Sequence, residues 1–171
     1  MHDLKGHRFN LVMLIGYLVK RLREEYPQKQ IGKTTVQKMM FLLSRRGLTG
    51  ARYNLYYYGP YSSQIEGATV LAEENGIIST KWVDDRGFFI EPLNPGSEVV
   101  LEPEVKTSVD ELVKKHGNRS ATELSLLCTA IFLKDNHKVS DGKLIQILKD
   151  VKPNAEPDAL TKAVQQARAE I

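Results

Sequence analysis

Residues 63–91 read SQIEGATVLAEENGIISTKWVDDRGFFIE, and this stretch decides the fold class. Its first half predicts an α-helix, because Ser63 and Glu66 have the spacing of a capping box and apolar residues follow on one face. The pair Asn75-Gly76 then ends the helix. The second half of the stretch has a different period and predicts a different element.

A β-hairpin is predicted directly after this helix. Residues 77–83 and 87–91 are rich in β-branched and aromatic side chains, as strands are. The turn between them contains Asp84 and Asp85, and Gly87 can adopt the positive φ that such a turn needs. The stretch is therefore a helix followed by a hairpin.

Two further helices are predicted on the N-terminal side. Apolar residues recur at three- and four-residue steps over residues 10–26, and Pro27 closes that segment. Thr34 or Thr35 can cap a second helix, and Gly47 can follow its last turn. Helices followed by a β-hairpin form the plan of a winged helix, which is a variant of helix-turn-helix.

The remainder of the chain is predicted to be helical. Pro92, Pro95 and Gly96 mark a break, which divides the chain into a winged-helix-like domain at 1–93 and a helical extension at 94–171. Helices of the extension are predicted at 105–116 and 121–135, after Ser140 and from Pro157, and the second follows the capping box Ser120-x-x-Glu123. The predicted fold class is α+β and mostly α.

Composition limits the classes of protein. The single cysteine, Cys128, cannot form an internal disulfide, which favours a reducing compartment, the cytoplasm. The most apolar stretch, 11–19, is shorter than the roughly 20 residues of a membrane-spanning helix, and no secretory cleavage site follows it. No catalytic, phosphate-binding or metal-ligating spacing occurs, so we expect neither an enzyme, a cofactor, a metal ion nor a membrane partner.

Charge is divided unevenly along the chain. Residues 1–60 contain 11 Lys and Arg against 3 Asp and Glu, a net of +8, whereas residues 61–171 contain 13 against 18, a net of −5. A basic face attracts nucleic acid or an acidic protein. Solvated helix faces that happen to segregate are the plainer explanation, and charge runs are usually of that kind.

The predicted third helix argues against reading of DNA. A winged helix usually places this helix in the major groove, where Lys, Arg, Asn and Gln meet bases and phosphates. Between Ser62 and Asn75 there is no Lys or Arg, and Glu66, Glu73 and Glu74 would repel phosphates. If DNA binds, basic residues around the second helix must contact it: Lys33, Lys38, Arg45, Arg46 and Arg52.

An aromatic run offers a second kind of surface. Residues 53–58, YNLYYY, are predicted to form one short strand that Gly59-Pro60 stops. Alternation along a strand places Tyr56 and Tyr58 on one face, so at least one tyrosine face can be partly exposed. Tyrosine beside Arg and Lys is a composition that protein interfaces favour. The alternative is a core strand whose hydroxyl groups reach the rim.

Two motifs resemble a known family. KTTVQKMMFL at 33–42 resembles the T-x-x-Q-K-hydrophobic helix of the Panacea (SocA-like) antitoxin domain and of the related YwgA-like proteins. YGPYS at 58–62 resembles the Y-G-P-Y/F-S segment of the same families, and residues 120–124 and 144–153 resemble C-terminal helices of the YwgA-like proteins. The matched signature residues are Gln37, Lys38, Gly59, Pro60 and Ser62.

The resemblance implies a protein-interaction role, because Panacea domains are associated with toxin neutralisation and include an adaptor that delivers a toxin to a protease. The signature Gly-Pro implies a structural turn into the third helix. We therefore expect an antitoxin-like or adaptor module that binds an acidic or apolar protein. A winged-helix transcriptional regulator that binds DNA is the alternative, and a homo-oligomer stays open. The expected partner-binding residues are Lys33, Gln37, Lys38, Arg45, Arg46, Tyr56, Tyr58 and Tyr61.

Overall fold

The computed structural model describes residues 4–93 and 100–170, with side chains from residue 11 onward. The described residues are mostly helical, with two small antiparallel hairpins, which confirms the mostly-α α+β class. The helices are α1 Leu4–Glu25, α2 Lys33–Arg45, α3 Ser63–Glu74, α4 Pro103–His116, α5 Ala121–His137, α6 Asp141–Val151 and α7 Pro157–Arg168. The strands are β1 Asn54–Tyr56, β2 Gly59–Tyr61, β3 Ile78–Val83 and β4 Gly87–Pro92.

Helix α2 begins earlier than its sequence suggests. Its N-cap is Gly32, which has no side chain, and neither Thr34 nor Thr35 caps it. The first-turn amides therefore lack the side-chain acceptor that a Ser or Thr cap would supply. At the other end Gly47 has a φ of 78°, as predicted for the residue that follows the last turn.

The aromatic run is a hairpin and not the single strand that was predicted. Asn54–Tyr56 pairs antiparallel with Gly59–Tyr61, so the Gly-Pro pair starts a second strand where a stop was expected. Proline is tolerated there because this two-stranded ribbon has free edges, on which no amide donor is needed. Tyr57 and Tyr58 consequently form the turn.

The predicted helix and hairpin that follow are confirmed, with one change of cap. Ser62, and not Ser63, is the N-cap of α3, and its hydroxyl accepts from the Ile65 amide. Strands β3 and β4 pair over six residues each, and Gly87 has a φ of 86°. We call β3–β4 the wing hairpin, a label taken from the predicted winged-helix plan.

The C-terminal helices begin where local signals place them. Ser120 and Glu123 form the complete predicted capping box of α5, and Pro157 is the first residue of α7. Ser140 occupies the N-cap position of α6 without a side-chain hydrogen bond. The predicted break at Pro95 and Gly96 lies outside the described residues.

One hydrophobic cluster contains buried residues from both predicted parts of the chain. Helix α5 packs against α2 and β2, and α4 packs against α1 and α2. Ile15, Met39 and Leu127 have no exposed surface. Cys128 is also fully buried, and burial raises the pKa of its thiol to about 12, so it behaves as a small apolar side chain.

Many of the basic residues in the first part of the sequence form ion pairs with acidic residues of the second part. Among the described residues, five ion pairs join a cation of the first 60 residues to an anion of the remainder. They are Arg21–Asp110 at 2.7 Å, Arg23–Glu91 at 2.5 Å, Lys33–Glu66 at 2.8 Å, Arg45–Asp135 at 2.7 Å and Arg46–Glu111 at 3.1 Å. Segregation along the sequence therefore becomes attraction between packed elements.

Candidate interaction surface

A hairpin of residues 54–61 carries the largest aromatic exposure in the described chain, and we call it the tyrosine hairpin. Tyr56, Tyr57 and Tyr58 are 56%, 90% and 69% exposed. Two-residue turns usually need positive φ angles, which tyrosine adopts poorly. Here Gly59 has the positive φ, 99°, so two bulky residues can occupy the turn.

Gln37 holds the C-terminal end of this hairpin from beneath. Its amide nitrogen donates to the Ser62 carbonyl at 2.9 Å, and its amide oxygen accepts from the Ser62 amide at 3.0 Å. Both residues are buried, at 4% and 1% exposure. A primary amide satisfies both groups because it contains a donor and an acceptor.

Lys38 holds the second strand. Its ammonium group donates to the Pro60 carbonyl at 2.9 Å, and its side chain is only 2% exposed. Burial lowers the pKa of this amine to about 8, since no carboxylate of the described residues pairs with it. The thiol of Cys128 lies against the Lys38 carbonyl oxygen at 3.7 Å.

The turn itself is fastened by residues from the C-terminal helices. The Ser125 hydroxyl of α5 donates to the Tyr58 carbonyl at 2.5 Å. Lys152, which follows α6, donates to the Tyr57 carbonyl, and its ammonium group lies 5.4 Å from the centre of the Tyr58 ring. The backbone of the hairpin is thus bonded from both halves of the chain, by Lys38 at the second strand and by Ser125 and Lys152 at the turn.

Three neighbouring cavities surround the tyrosine hairpin, and Thr34 and Tyr58 line all of them. One of about 510 Å³ extends to Val151–Ala155, and one of about 720 Å³ extends to the wing hairpin. The third, of about 280 Å³, lies above Gln37 and Lys38. Together they form what we call the tyrosine groove.

The far wall of the groove is the wing hairpin. Trp82 is 57% exposed, and its ring packs edge-on against Phe88 with 4.9 Å between centres. Lys33 places its ammonium group 4.4 Å from the centre of the Phe88 ring and binds Glu66. Aromatic side chains therefore stand on both sides of the N-terminus of α2.

Six of the predicted partner-binding residues meet at this groove, namely Lys33, Gln37, Lys38, Tyr56, Tyr58 and Tyr61. The rings of Tyr56 and Tyr61 pack edge-on, with 5.1 Å between their centres. Gln37 and Lys38 do not present their side chains to a partner as expected, because both are buried and bonded to backbone.

Arg45 and Arg46 lie elsewhere and are occupied. Arg45 forms two hydrogen bonds to the Asp135 carboxylate and one to the Glu170 carbonyl. Arg46 donates to Glu111 and to the Ser108 carbonyl. Both arginines are thus held in ion pairs away from the groove, and their role in partner binding stays a prediction.

Sequence reasoning missed three residues of the surface. Tyr57 is the most exposed tyrosine, and alternation along a single strand placed it on the face opposite Tyr56 and Tyr58. A hairpin prediction with the turn at 57–58 would have found it. Trp82 and Lys152 reach the groove through tertiary packing, for which the sequence contains no local signal.

The described residues contain no group of three or more His, Cys, Asp or Glu side chains placed to hold a metal ion. No helix in the described part of the chain has both the length and the apolar character required to cross a membrane. Neither a scan against protein-family models nor a search of curated proteins finds a match to this sequence.

Proposed function

We propose that this chain is a non-enzymatic protein-interaction module, of an antitoxin-like or adaptor kind, and that the tyrosine hairpin is its contact surface. The observation that carries the proposal is the exposure of three consecutive tyrosines on a backbone bonded from beneath by Gln37, Lys38 and Ser125. Tyrosine and tryptophan dominate the binding energy of protein interfaces.

Rigidity strengthens the proposal. Ordering a side chain or loop during association costs free energy. A surface that is already ordered in the free protein avoids this cost when it binds. The backbone of Tyr57 and Tyr58 is fixed by Lys152 and Ser125. Such a turn presents large side chains with few free torsions, as rigid aromatic anchors do.

The resemblance to the Panacea and YwgA-like families supports the same conclusion. The five signature residues are Gln37, Lys38, Gly59, Pro60 and Ser62, and all belong to the hairpin or to its hydrogen-bonded support. Helices α1, α2 and α3 precede the wing hairpin in the chain, and the tyrosine hairpin lies between α2 and α3. This order is in keeping with a proposed winged-helix-like arrangement. We propose the cytoplasm as its compartment.

A DNA-binding regulator has weaker support. Helix α3 contains no Lys or Arg, and its first-turn Glu66 is bound to Lys33. The cations expected to hold phosphates are engaged at Arg45 and Arg46, whereas Arg52 is exposed. Few counterions would therefore be released if a duplex bound through α3 and these arginines.

Site-specific photocrosslinking in the native host tests the proposal. A photoreactive phenylalanine analogue replaces Tyr57 in one variant and Val70 of α3 in a control, because Val70 is also exposed, at 42%, but lies outside the groove. We expect a protease-sensitive adduct at position 57 that is absent at position 70. Mass spectrometry then identifies the crosslinked protein.

Two results would overturn the proposal. Equal crosslinking at both positions would show that the hairpin is not a specific contact surface. Nuclease-sensitive adducts, together with duplex binding that weakens log-linearly with salt concentration, would favour the regulator instead.

A further inference from the structure

We propose that the tyrosine groove binds an extended acidic segment of the partner protein, with an apolar or aromatic side chain of that segment seated between Tyr58 and Trp82. This inference rests on the proposed function and names the chemistry of the partner. It is carried by the shape of the groove and by the sign of its unpaired charge.

The groove is suited to a segment with alternating side chains. Tyr58 projects between a cavity that reaches the wing hairpin and one that reaches Pro153. An extended peptide sends successive side chains in opposite directions, so it can straddle such a projection and fill the space on each side. Trp82 supplies an aromatic wall for the apolar member.

Besides the buried Lys38, three cations line the groove without an ion pair to a carboxylate among the described residues: Lys29, Arg86 and Lys152. The ammonium group of Lys29 donates to the Arg119 carbonyl, and that of Lys152 donates to the Tyr57 carbonyl. The guanidinium of Arg86 lies 4.9 Å from the centre of the Phe89 ring. Each group therefore contacts a neutral neighbour and not a carboxylate.

Two carboxylates, Glu66 and Glu123, line the groove, and a third lies beside it on the turn of the wing hairpin. Glu66 binds Lys33 at 2.8 Å, and Glu123 accepts from the Ser120 amide at 2.8 Å as part of the α5 capping box. Asp84, at the wing tip, accepts from the Trp82 indole at 3.0 Å. The lining of the three cavities contains five Lys and Arg side chains against these two Glu side chains, so the net charge of the groove is positive and its complement is an acidic segment.

Two further features of the groove also favour a negatively charged ligand. The N-terminus of α2, at Gly32–Thr35, lies in the groove and has neither a side-chain cap nor an acidic residue in its first turn, so the helix dipole adds positive potential there. Burial lowers the pKa of Lys29 and of Lys152, which means that each ammonium lacks sufficient compensation in the free protein. A carboxylate from the partner would provide it.

Selection from a phage-displayed library of random short peptides tests this inference on the full chain. We expect enriched peptides to be acidic, to include aromatic or large apolar residues, and to bind less tightly as salt is added. The best enriched peptide, synthesised with a fluorophore, is then titrated by fluorescence anisotropy with the variants below.

Arg86→Gln and Lys29→Gln each remove one groove cation, and Lys81→Gln is the matched control because Lys81 is an exposed strand residue outside the groove. We expect the two groove variants to weaken peptide binding roughly two- to fivefold each and the control to leave it unchanged. Tyr58→Ala should weaken binding about tenfold or more. Unchanged thermal unfolding of each variant shows that the fold is retained.

The outcomes separate this inference from the proposed function. One outcome is a set of enriched peptides that are neutral or basic and still lose affinity for the Tyr58→Ala variant. That result would overturn the proposal that the partner segment is acidic, but it would leave the proposed interaction module standing. Equal weakening by Lys81→Gln would attribute binding to net charge and would also overturn the groove. A library without a peptide that depends on Tyr58, or a duplex oligonucleotide that displaces the selected peptide at physiological salt, would overturn both proposals.

Discussion

The two hairpins are of similar construction but are stabilised in opposite ways. The tyrosine hairpin has strands of three residues and depends on buried side chains of α2 and α5 that bond to its backbone. The wing hairpin has strands of six residues, and its own ladder and the Trp82–Phe88 contact support it. A two-stranded hairpin is marginally stable alone, so the shorter one needs support from the remainder of the fold.

Residues outside the wing hairpin also bond to its backbone, and the side chain that does so, Gln30, is exposed. Gln30 donates from its exposed side chain to the carbonyls of Arg86 and Phe88, and the Ile90 amide donates to Ile31 at 2.8 Å. The two Gln30 bonds have access to water, which can replace them, whereas Ile31 and Ile90 are fully buried. Equivalent substitutions in the two hairpins should therefore differ in cost.

Gly59→Ala should have the largest effect. At φ 99° a Cβ would lie 2.6 Å from Thr129 Oγ1 and 3.2 Å from the Ser125 carbonyl, and neither atom can move freely. We expect a loss of about 2–4 kcal/mol in the free energy of unfolding, from backbone strain and overpacking together. The matched change Gly87→Ala meets only Gln30 Nε2 at 3.9 Å and should cost about 1 kcal/mol. Urea denaturation measures both, and equal losses would contradict the comparison.

Gln37→Leu should rank second. It leaves the Ser62 amide buried without a partner and removes one bond from the Ser62 carbonyl, which still accepts from the Glu66 amide at 3.1 Å. We expect a cost of about 2 kcal/mol. Gln30→Leu removes two comparable bonds from the wing hairpin at an exposed position and should cost less than about 1 kcal/mol. If the two variants have the same midpoint in urea, burial is not what distinguishes the hairpins.

Lys38→Met should change the pH dependence of stability. Because the pKa of the folded state is about 8 and that of an unfolded lysine is about 10.5, the unfolded chain binds more protons between these values. The wild type should therefore gain stability relative to the variant as pH rises from 8 to about 9.5, by up to about 1.4 kcal/mol per pH unit. Other titrating groups are common to both proteins and cancel. A difference that is constant with pH would show that Lys38 is not a buried charge.

Tyr57→Ala should have the smallest effect on stability, below about 0.5 kcal/mol, because 90% of that side chain is already in water. Trp82→Ala on the wing should cost about 1 kcal/mol, since it removes the contact with Phe88. Thermal unfolding compares the two. A large loss for Tyr57→Ala would mean that the tyrosine supports the fold and is not reserved for a partner.

Much of the fold could be predicted because its signals are local. The capping box at Ser120 and Glu123, the proline that starts α7 and the turn glycine Gly87 each act within a few residues, and all are confirmed. The tyrosine hairpin could not be predicted in this way. Its strands of three residues are too short for an alternating pattern to emerge, so YNLYYY resembles one strand.

The candidate site was predicted in part for the same reason. Tyr56, Tyr58 and Tyr61 were found from composition, but the burial of Gln37 and Lys38 depends on a backbone segment more than 20 positions away. Polar residues on a helix are usually exposed, and only the tertiary structure shows that these two replace missing strand partners. The ion pairs of Arg45 and Arg46 could not be predicted for a similar reason, because their carboxylates come from helices late in the chain.

The hydrogen bonds to the tyrosine turn also determine at which stage of folding the exposed surface forms. Ser125 and Lys152 lie 67 and 95 positions along the chain from the residues whose carbonyls they hold. Contacts of such long range form late in folding, after local helices. During synthesis the tyrosines leave the ribosome well before their supports do, so a partner that requires the finished turn would ignore incomplete chains and engage only those that have folded.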